Sequence, residues 1–162
     1  MKNKRFKLYY ISDNYIDYLR QFDNKIRFNK SNRRPYVGIV YTYNNFNYFA
    51  PLATPKQKHK YINKHAIDIW LIKDGKLGVI NFNNMIPAPI NELTEIIPTI
   101  TDKKYKNLLV NQLSEINKNR EIISKKIRHF QHQYNNNRLD SNILKRCCDF
   151  RLLEQKCKDY SK

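Results

Sequence analysis

The spacing of the apolar residues changes near Thr101. Before this point they stand in short runs rich in β-branched and aromatic side chains, and after it they recur every three or four positions. The first pattern is typical of β-strands and the second of amphipathic helices. No internal repeat or separable linker interrupts this order. We therefore expect residues 1–162 to form one α+β domain, in which strands and one early helix precede a helical C-terminal part.

Two hairpin turns can be predicted in the first half of the chain. Asn44-Asn45 can supply one turn, and Asp74-Gly75 is the strongest short hairpin signal. Pro87 and Pro89 then oppose an easy continuation of the second hairpin. The pattern predicts strands at Phe6–Ile11, Pro35–Tyr43, Phe46–Leu52, Ile67–Ile72 and Leu77–Phe82, and a helix from Ser12 or Asp13 through Phe22.

Two apolar stripes predict helices after Thr101, and three asparagines at 135–137 end the second. The stripes consist of Tyr105, Leu108, Leu109, Leu113 and Ile116, and of Ile122, Ile123, Ile127 and Phe130. Leu144, Cys147, Cys148 and Leu152 suggest one last helix. With Cys157 the cysteines are odd in number and lack a C-x-x-C spacing, so we expect reduced thiols packed in the core and a cytoplasmic protein.

The net charge of +17, from 31 Lys and Arg against 14 Asp and Glu, favours a polyanionic partner. The 12 Tyr and 8 Phe residues add rings that can stack on bases. The basic residues concentrate in 1–60 and 101–162, on either side of a near-neutral middle. A merely solvated surface is the alternative, but this density together with the aromatic residues favours nucleic acid.

Several kinds of site are disfavoured by the sequence. Three glycines are too few for a phosphate-cradling Gly-rich loop. The acidic residues are scattered, and Glu92 and Glu95 are expected to decorate a helix or loop rather than bind magnesium. His129 and His132 fit a basic helix face better than a zinc site. We predict no metal and no cofactor, and no signal peptide or membrane span is recognisable.

The segment Phe49–Lys60 has the composition of a site, because two prolines, a hydroxyl, three lysines and a histidine follow a strand. Pro55 stiffens the exit, so Thr54 and Lys56 can be held in fixed positions. RNA can cleave itself when its 2'-hydroxyl lies in line with the adjacent phosphorus, and cationic and hydroxyl side chains can assist without metal. A turn with solvated lysines remains an equal alternative for this segment.

Six blocks of the sequence resemble the ToxN/AbiQ family of type III toxins. The block ending in Ala50-Pro-Leu-Ala-Thr-Pro-Lys56 is the most specific, and together the blocks extend over nearly the whole chain. The blocks are Tyr10–Asp23, Arg34–Val40, Tyr48–Lys56, Leu77–Pro87, Tyr105–Leu113 and Phe150–Lys156.

The resemblance implies a compact fold around a strongly twisted, mostly antiparallel sheet, related to the MazF/Kid toxins. It also implies metal-free RNA cleavage that leaves a 2',3'-cyclic phosphate and a 5'-hydroxyl, with a role in abortive phage infection as a further expectation. The implied partner is a repeated, pseudoknotted antitoxin RNA that the toxin cuts from a longer transcript and with which it forms closed protein–RNA assemblies. Neither DNA nor a membrane is expected as a partner.

Four residues take catalytic roles from the resemblance. Thr54 would contact the scissile phosphate or the nucleophile, Lys56 would stabilise the oxyanion or leaving group, and Arg34 would hold phosphate. His59 matches a histidine often found after the motif, and we infer proton transfer for it. Ala53 departs from relatives that have a second hydroxyl there, which leaves Thr54 alone. The expected RNA contacts are Lys30, Arg33, Tyr36, Lys58, Lys60, Lys125, Lys126 and Arg128.

Two other functions are compatible with the composition. A non-enzymatic RNA-binding protein would need only the charge and the aromatic residues, and the strand-end motif would then be incidental. A DNA-binding regulator is the weaker alternative, because the C-terminal helices show no helix-turn-helix signature.

Overall fold

Seven strands and five α-helices make up the framework of the described chain, which in this computed structural model comprises residues 4–29, 31 and 33–160. The strands are β1 (Lys7–Ile11), β2 (Tyr36–Tyr43), β3 (Phe46–Ala53), β4 (Ile69–Leu71), β5 (Val79–Asn81), β6 (Ile86–Pro87) and β7 (Leu93–Glu95). The helices are α1 (Asp13–Arg20), α2 (Lys103–Lys118), α3 (Arg120–Asn135), α4 (Ser141–Arg146) and α5 (Phe150–Tyr160). Short 3-10 helices lie at Gln57–Tyr61, Ile90–Glu92 and Ile97–Thr99.

The sheet is antiparallel at every described pairing and has the order β4-β5-β3-β2-β1-β7, with β6 also paired to β3. Strand β3 is central because it pairs with β2, β5 and β6. Its residues Tyr48–Leu52 are all buried, as expected for a strand covered on both faces. Leu52 and Ala53 pair with Ile80 and Val79 of β5. The end of β3 is therefore fixed by its pairing with β5.

The helices supply the second layer of the core. Leu109 and Ile116 of α2 and Ile123, Ile127 and Phe130 of α3 are fully buried. Side-chain caps begin α1, α2 and α4, since Ser12 accepts from the amide of Tyr15, Asp102 from that of Lys104 and Asp140 from that of Asn142. The buried stripe on each helix is the amphipathic pattern expected for a helix packed on a sheet.

The α+β class and the antiparallel sheet are confirmed, and the element boundaries differ in several places. The second hairpin has shorter strands than predicted, because residues 73–78 fold as a loop in which the Ile72 amide donates to the Gly78 carbonyl at 3.0 Å. Strands β6 and β7 were not predicted. Ile122 is 58% exposed and does not belong to the buried stripe. Helix α1 ends at Arg20 rather than at Phe22.

The predicted last helix is two helices, with Cys147 and Cys148 in the break between them. Both cysteines are buried, as is Cys157, and the three are free thiols packed in the core as predicted. Burial raises the pKa of Cys147 to about 12, and the nearby Asp68 contributes to the same shift.

Two further expectations concern the acidic residues and the membrane. Glu92 lies in a 3-10 helix and accepts from the Ser12 hydroxyl, while Glu95 lies in β7 and its carboxylate is 3.7 Å from the Lys7 ammonium. Glu92 therefore lies on a helix as expected, whereas Glu95 lies on a strand rather than on a helix or loop. In the described part of the chain, no helix combines the length and the apolar character needed to cross a bilayer.

Candidate nucleic-acid interface and active site

A cavity of about 510 Å³ lies where β3 leaves the sheet. Pro55 has no amide hydrogen for a ladder, so the chain turns away after Ala53 and enters the 3-10 helix Gln57–Tyr61. We call this cavity the strand-end pocket. It is lined by Arg27, Arg33, Arg34, Pro35, Leu52, Ala53, Thr54, Lys56, Lys58, His59, Ile62, Ile69, Val79, Asn81, Asn83, Tyr105 and Arg146.

All four predicted catalytic residues line the strand-end pocket. Thr54 and Lys56 are exposed, Arg34 is half-buried and His59 is buried. The side chains come from two segments that are distant in sequence but adjacent in the sheet, because β2 and β3 pair from Tyr36 opposite Pro51. A hydroxyl, an ammonium and a guanidinium therefore face one cavity.

His59 holds the backbone of Lys56 from two sides. Its Nδ1 accepts a hydrogen bond from the Lys56 amide at 3.2 Å, and its own amide donates to the Lys56 carbonyl at 3.0 Å. Burial lowers the pKa of His59, and the charges of Lys58 and Lys56 lower it further. The ring is therefore favoured in its neutral form, and with Nδ1 accepting, the proton is assigned to Nε2. This geometry supports a positioning role for His59 more than the proton transfer inferred from the sequence.

Arg34 is oriented by the loop that precedes β2. Its Nε donates to the Phe28 carbonyl at 2.7 Å. Burial lowers the pKa of Arg34, and the charge of the neighbouring Arg27 acts in the same direction. The shift leaves an arginine cationic at neutral pH, because the ordinary pKa is above 12.

Tyr36 was expected to contact RNA, and this expectation is wrong for the folded protein. Its side chain is fully buried in β2, so no ring face is available for a base. Tyr36, Val37 and Gly38 are all buried, so both faces of the sheet are covered at the start of β2. The charges of Arg34, Arg27 and Arg20 all act on its hydroxyl, which places it beneath the basic residues of the site.

The remaining expected RNA contacts are divided between two places. Arg33 and Lys58 line the strand-end pocket, whereas Lys125 and Arg128 are exposed on α3. Lys126 is half-buried and its Nζ donates to the Ile69 carbonyl at 2.6 Å, so it braces β4 and its contact with RNA is not supported. Lys30 and the side chain of Lys60 lie outside the described residues.

A second cavity of about 410 Å³ adjoins the first, and four residues line both: Arg27, Arg34, Asn83 and Arg146. We call it the side cavity. Its other lining residues are Arg20, Asn24, Lys25, Ile26, Phe28 and Asn84. Sequence reasoning missed Arg27 and Arg146 because both stand in stretches rich in other basic residues, with nothing local to distinguish them.

No group of three or more His, Cys, Asp or Glu side chains is placed to hold a metal ion among the residues that the structure describes. His129 is exposed on α3, and His132 lies beside Asn136, whose side-chain amide donates to the His132 carbonyl at 2.8 Å.

Comparison with known proteins identifies the family. The family model described as toxin ToxN of the type III toxin-antitoxin system matches residues 7–158. The endoribonuclease ToxN of Bacillus thuringiensis subsp. kurstaki is 34% identical over 95% of this chain and 84% of its own length.

Two solved structures have the same fold. One is from a type III system in which a non-coding RNA pseudoknot selectively inhibits the toxin. It has a TM-score of 0.81 at 33% identity and covers 98% of this chain and 99% of its own. The other is AbiQ, a lactococcal anti-phage endoribonuclease of a type III system, with a TM-score of 0.83 at 30% identity and coverage of 98% and 99%. This chain, from its first strand to its last helix, belongs to the ToxN family of type III toxin-antitoxin toxins.

Proposed function

We propose that the protein is an endoribonuclease, the toxin of a type III toxin-antitoxin system. The observation that carries the proposal is the convergence of Arg34, Thr54 and Lys56 on one cavity at the end of β3. The names of its relatives, an endoribonuclease ToxN and an anti-phage endoribonuclease AbiQ, support the same activity. The net charge of +17 suits an RNA substrate.

The proposed chemistry is transesterification without a metal ion. The 2'-hydroxyl gives its proton to solvent water and its oxygen bonds to the adjacent phosphorus, while the bond from phosphorus to the 5'-oxygen breaks and that oxygen gains a proton from Lys56. The products are a 2',3'-cyclic phosphate and a 5'-hydroxyl. The protein contributes alignment of the strand and stabilisation of the added negative charge.

Each residue has a role that fits its surroundings. The exposed Lys56 ammonium stabilises the charge on phosphate and delivers the proton to the leaving 5'-oxygen. The Thr54 hydroxyl donates to a phosphate oxygen, and no second hydroxyl is available at Ala53. Arg34, whose Nε is fixed by Phe28, offers its other N–H donors to phosphate. His59 keeps Lys56 in place.

The proposed partner is a pseudoknotted antitoxin RNA that inhibits the toxin, as in the related type III system. We propose that such RNA occupies the strand-end pocket and the basic face of α3, closes a protein–RNA assembly and restrains the toxin in the cytoplasm until phage infection. Lys125 and Arg128 on α3 are available for this contact because both are exposed.

The decisive experiment compares Lys56→Ala with Lys76→Ala, a control that removes an exposed lysine outside the pocket. Purified proteins are incubated with a labelled RNA in EDTA, and the ends of the fragments are determined. Wild type and the control should cut and leave cyclic phosphate ends. Lys56→Ala should be slower by about 10²–10⁴-fold, the usual effect of removing an acid or an oxyanion donor.

Two results would contradict the proposal in different ways. Undiminished cleavage by Lys56→Ala would remove the role given to Lys56, and loss of cleavage in EDTA would remove the metal-free chemistry. If wild type binds RNA tightly but never cuts it, the non-enzymatic RNA-binding function is the correct one.

A further inference from the structure

Three arginines meet where the strand-end pocket joins the side cavity. Arg27, Arg34 and Arg146 are common to the linings of both cavities. Arg27 and Arg34 come from the loop before β2, and Arg146 comes from the end of α4, which is far away in the sequence. We call these three residues the arginine junction.

Each arginine of the junction is fixed by a different group. Arg27 Nε donates to Asn84 Oδ1 at 3.1 Å, and Arg34 Nε donates to the Phe28 carbonyl at 2.7 Å. Arg146 donates to Asp68 Oδ2 at 3.0 Å. One such bond uses one of five N–H donors and sets the plane of the guanidinium, so the remaining donors can serve a ligand.

The end of α4 is anchored to the sheet at the same place. The Cys148 amide donates to the Asn83 carbonyl at 2.8 Å, and Asn84 Nδ2 donates to the Arg146 carbonyl at 3.3 Å. Asp68 is fully buried and also accepts from Asn83 Nδ2 at 2.8 Å. Arg146 is therefore held by both its backbone and its side chain, although that side chain is 53% exposed.

The charge at the junction favours an anion. Like charges in proximity are costly in the empty protein. At Arg34, burial is the main cause of the lowered pKa, and the charge of Arg27 acts in the same direction. Among the described lining residues of either cavity there is no aspartate or glutamate. Asp68 lies beneath the junction without lining it, so it compensates only part of the positive charge.

The sizes of the cavities indicate which anion fits. At about 510 and 410 Å³, each is within the range of small-ligand sites, so each is large enough for part of an RNA strand. A strand passing from one to the other brings a backbone phosphate to the boundary between them. Guanidinium groups match phosphate geometry through paired hydrogen bonds.

We propose that the arginine junction binds a non-scissile RNA phosphate next to the one cleaved at Thr54 and Lys56, so that the substrate strand occupies both cavities. Arg27 and Arg146 are its distinctive residues, and Asp68 is a positioning residue that acts through Arg146. This inference rests on the proposed ribonuclease function, since the scissile phosphate defines the neighbouring one.

The test uses Arg27→Gln, because its partner Asn84 is neutral and the change leaves no buried charge unpaired. Arg138→Gln is the matched control, an exposed arginine that lines neither cavity. A short RNA is made uncleavable by a 2'-deoxy substitution at the cut site, and a neutral methylphosphonate is then placed at each phosphate in turn. The nucleotide before each methylphosphonate is also 2'-deoxy, in the test and reference RNAs alike. Binding is measured by fluorescence anisotropy.

A methylphosphonate at the scissile position should weaken binding to wild type and to both variants. One further position should weaken binding to wild type and to Arg138→Gln by roughly 10- to 100-fold, the effect of a lost hydrogen bond to a charged group. Arg27→Gln should bind unmodified RNA more weakly by a similar factor and should be much less sensitive to that further position, because only Arg34 and Arg146 then remain to contact the phosphate. Arg146→Lys, which keeps the charge beside Asp68, should show a smaller form of the same behaviour. Mapping the cut in the cleavable RNA should place the sensitive phosphate directly beside the scissile one, on its 5' or its 3' side.

The two ideas can fail separately. In one contrary result, no methylphosphonate position distinguishes wild type from Arg27→Gln. In another, the weakening of binding by a methylphosphonate and the weakening by Arg27→Gln multiply at every position, as for independent sites. Either result would show that the junction is not a phosphate site, whatever the enzyme cleaves. If the cleavable RNA is never cut, the ribonuclease proposal fails, and the binding scan still decides whether the junction holds a phosphate.

Discussion

Replacement of His59 by alanine and by asparagine separates positioning from proton transfer. The asparagine side-chain oxygen lies close to where Nδ1 of histidine would be, so His59→Asn can still accept from the Lys56 amide, whereas His59→Ala cannot. In neither variant can the side chain at position 59 accept and release a proton at neutral pH. If the histidine only holds Lys56, the asparagine variant should keep most of the activity and the alanine variant should lose it.

The structure sets the size of the expected effects. In His59→Ala the Lys56 amide loses a partner at 3.2 Å, and a side chain that is 2% exposed leaves a void. Because Lys56 is itself exposed, water can replace part of the bond, so we expect a loss of about 2 kcal/mol in the free energy of unfolding. For a chain of this size that corresponds to roughly 4–8 °C in Tm. Misplacement of Lys56 should lower kcat by about 10²-fold.

The assay is single-turnover cleavage of a labelled RNA at 25 °C, with thermal unfolding measured on the same samples to show that both variants are folded. His59→Asn should be within about fivefold of wild type and His59→Ala should be at least ten times slower than His59→Asn, in line with the size of a lost hydrogen bond. Equal, large losses in both folded variants would refute the positioning role and restore proton transfer by His59.

Three further outcomes can be measured on the whole protein. Gly78→Ala should cost about 2–5 kcal/mol in denaturant unfolding, because Gly78 has φ +111° and an added Cβ would lie 2.0 Å from the Ala53 carbonyl oxygen. Since the pKa of His59 is lowered in the folded state, the unfolded state binds more proton below about pH 6.5. Stability should therefore fall as the pH decreases from there toward the folded pKa, by at most about 1.4 kcal/mol per pH unit, and this loss should be absent in His59→Asn. Cys147 should resist alkylation at pH 8 in the native protein and react after unfolding, because burial raises its pKa to about 12.

The local sequence predicted the elements whose apolar pattern is long. The first three strands and the helices α1, α2 and α3 were placed within a few residues, because alternation, caps and helical stripes are local signals. Strands β6 and β7 were not predictable in this way. They are two and three residues long and exist because β3 and β1 offer an edge to pair with, which is a tertiary effect.

The residues of the candidate site likewise fall into a group that the local sequence predicted and a group that depends on tertiary contacts. Thr54, Lys56 and His59 stand within six residues of one another after a strand, so composition and the family resemblance could single them out. Arg27 and Arg146 take part only because the turn at Asn83-Asn84 joins the loop before β2 to the end of α4. The local sequence around each arginine does not predict that the two lie close together. The burial of Tyr36 was missed for a related reason, since both faces of the sheet are covered at the start of β2 and this covering is a tertiary property.

The joining of α4 to the turn at Asn83-Asn84 has a consequence for how activity is acquired during folding. The pocket includes Arg27 from the first fifth of the chain and Arg146 from the last, so its completion needs contacts of very long sequence separation. Such contacts close late, because loop-closure entropy opposes them until the local elements are in place. Partly folded molecules should therefore lack an assembled RNA site even where the local sheet and helices have formed. Under the proposed toxin function, RNA cleavage is therefore acquired only once the chain is fully folded.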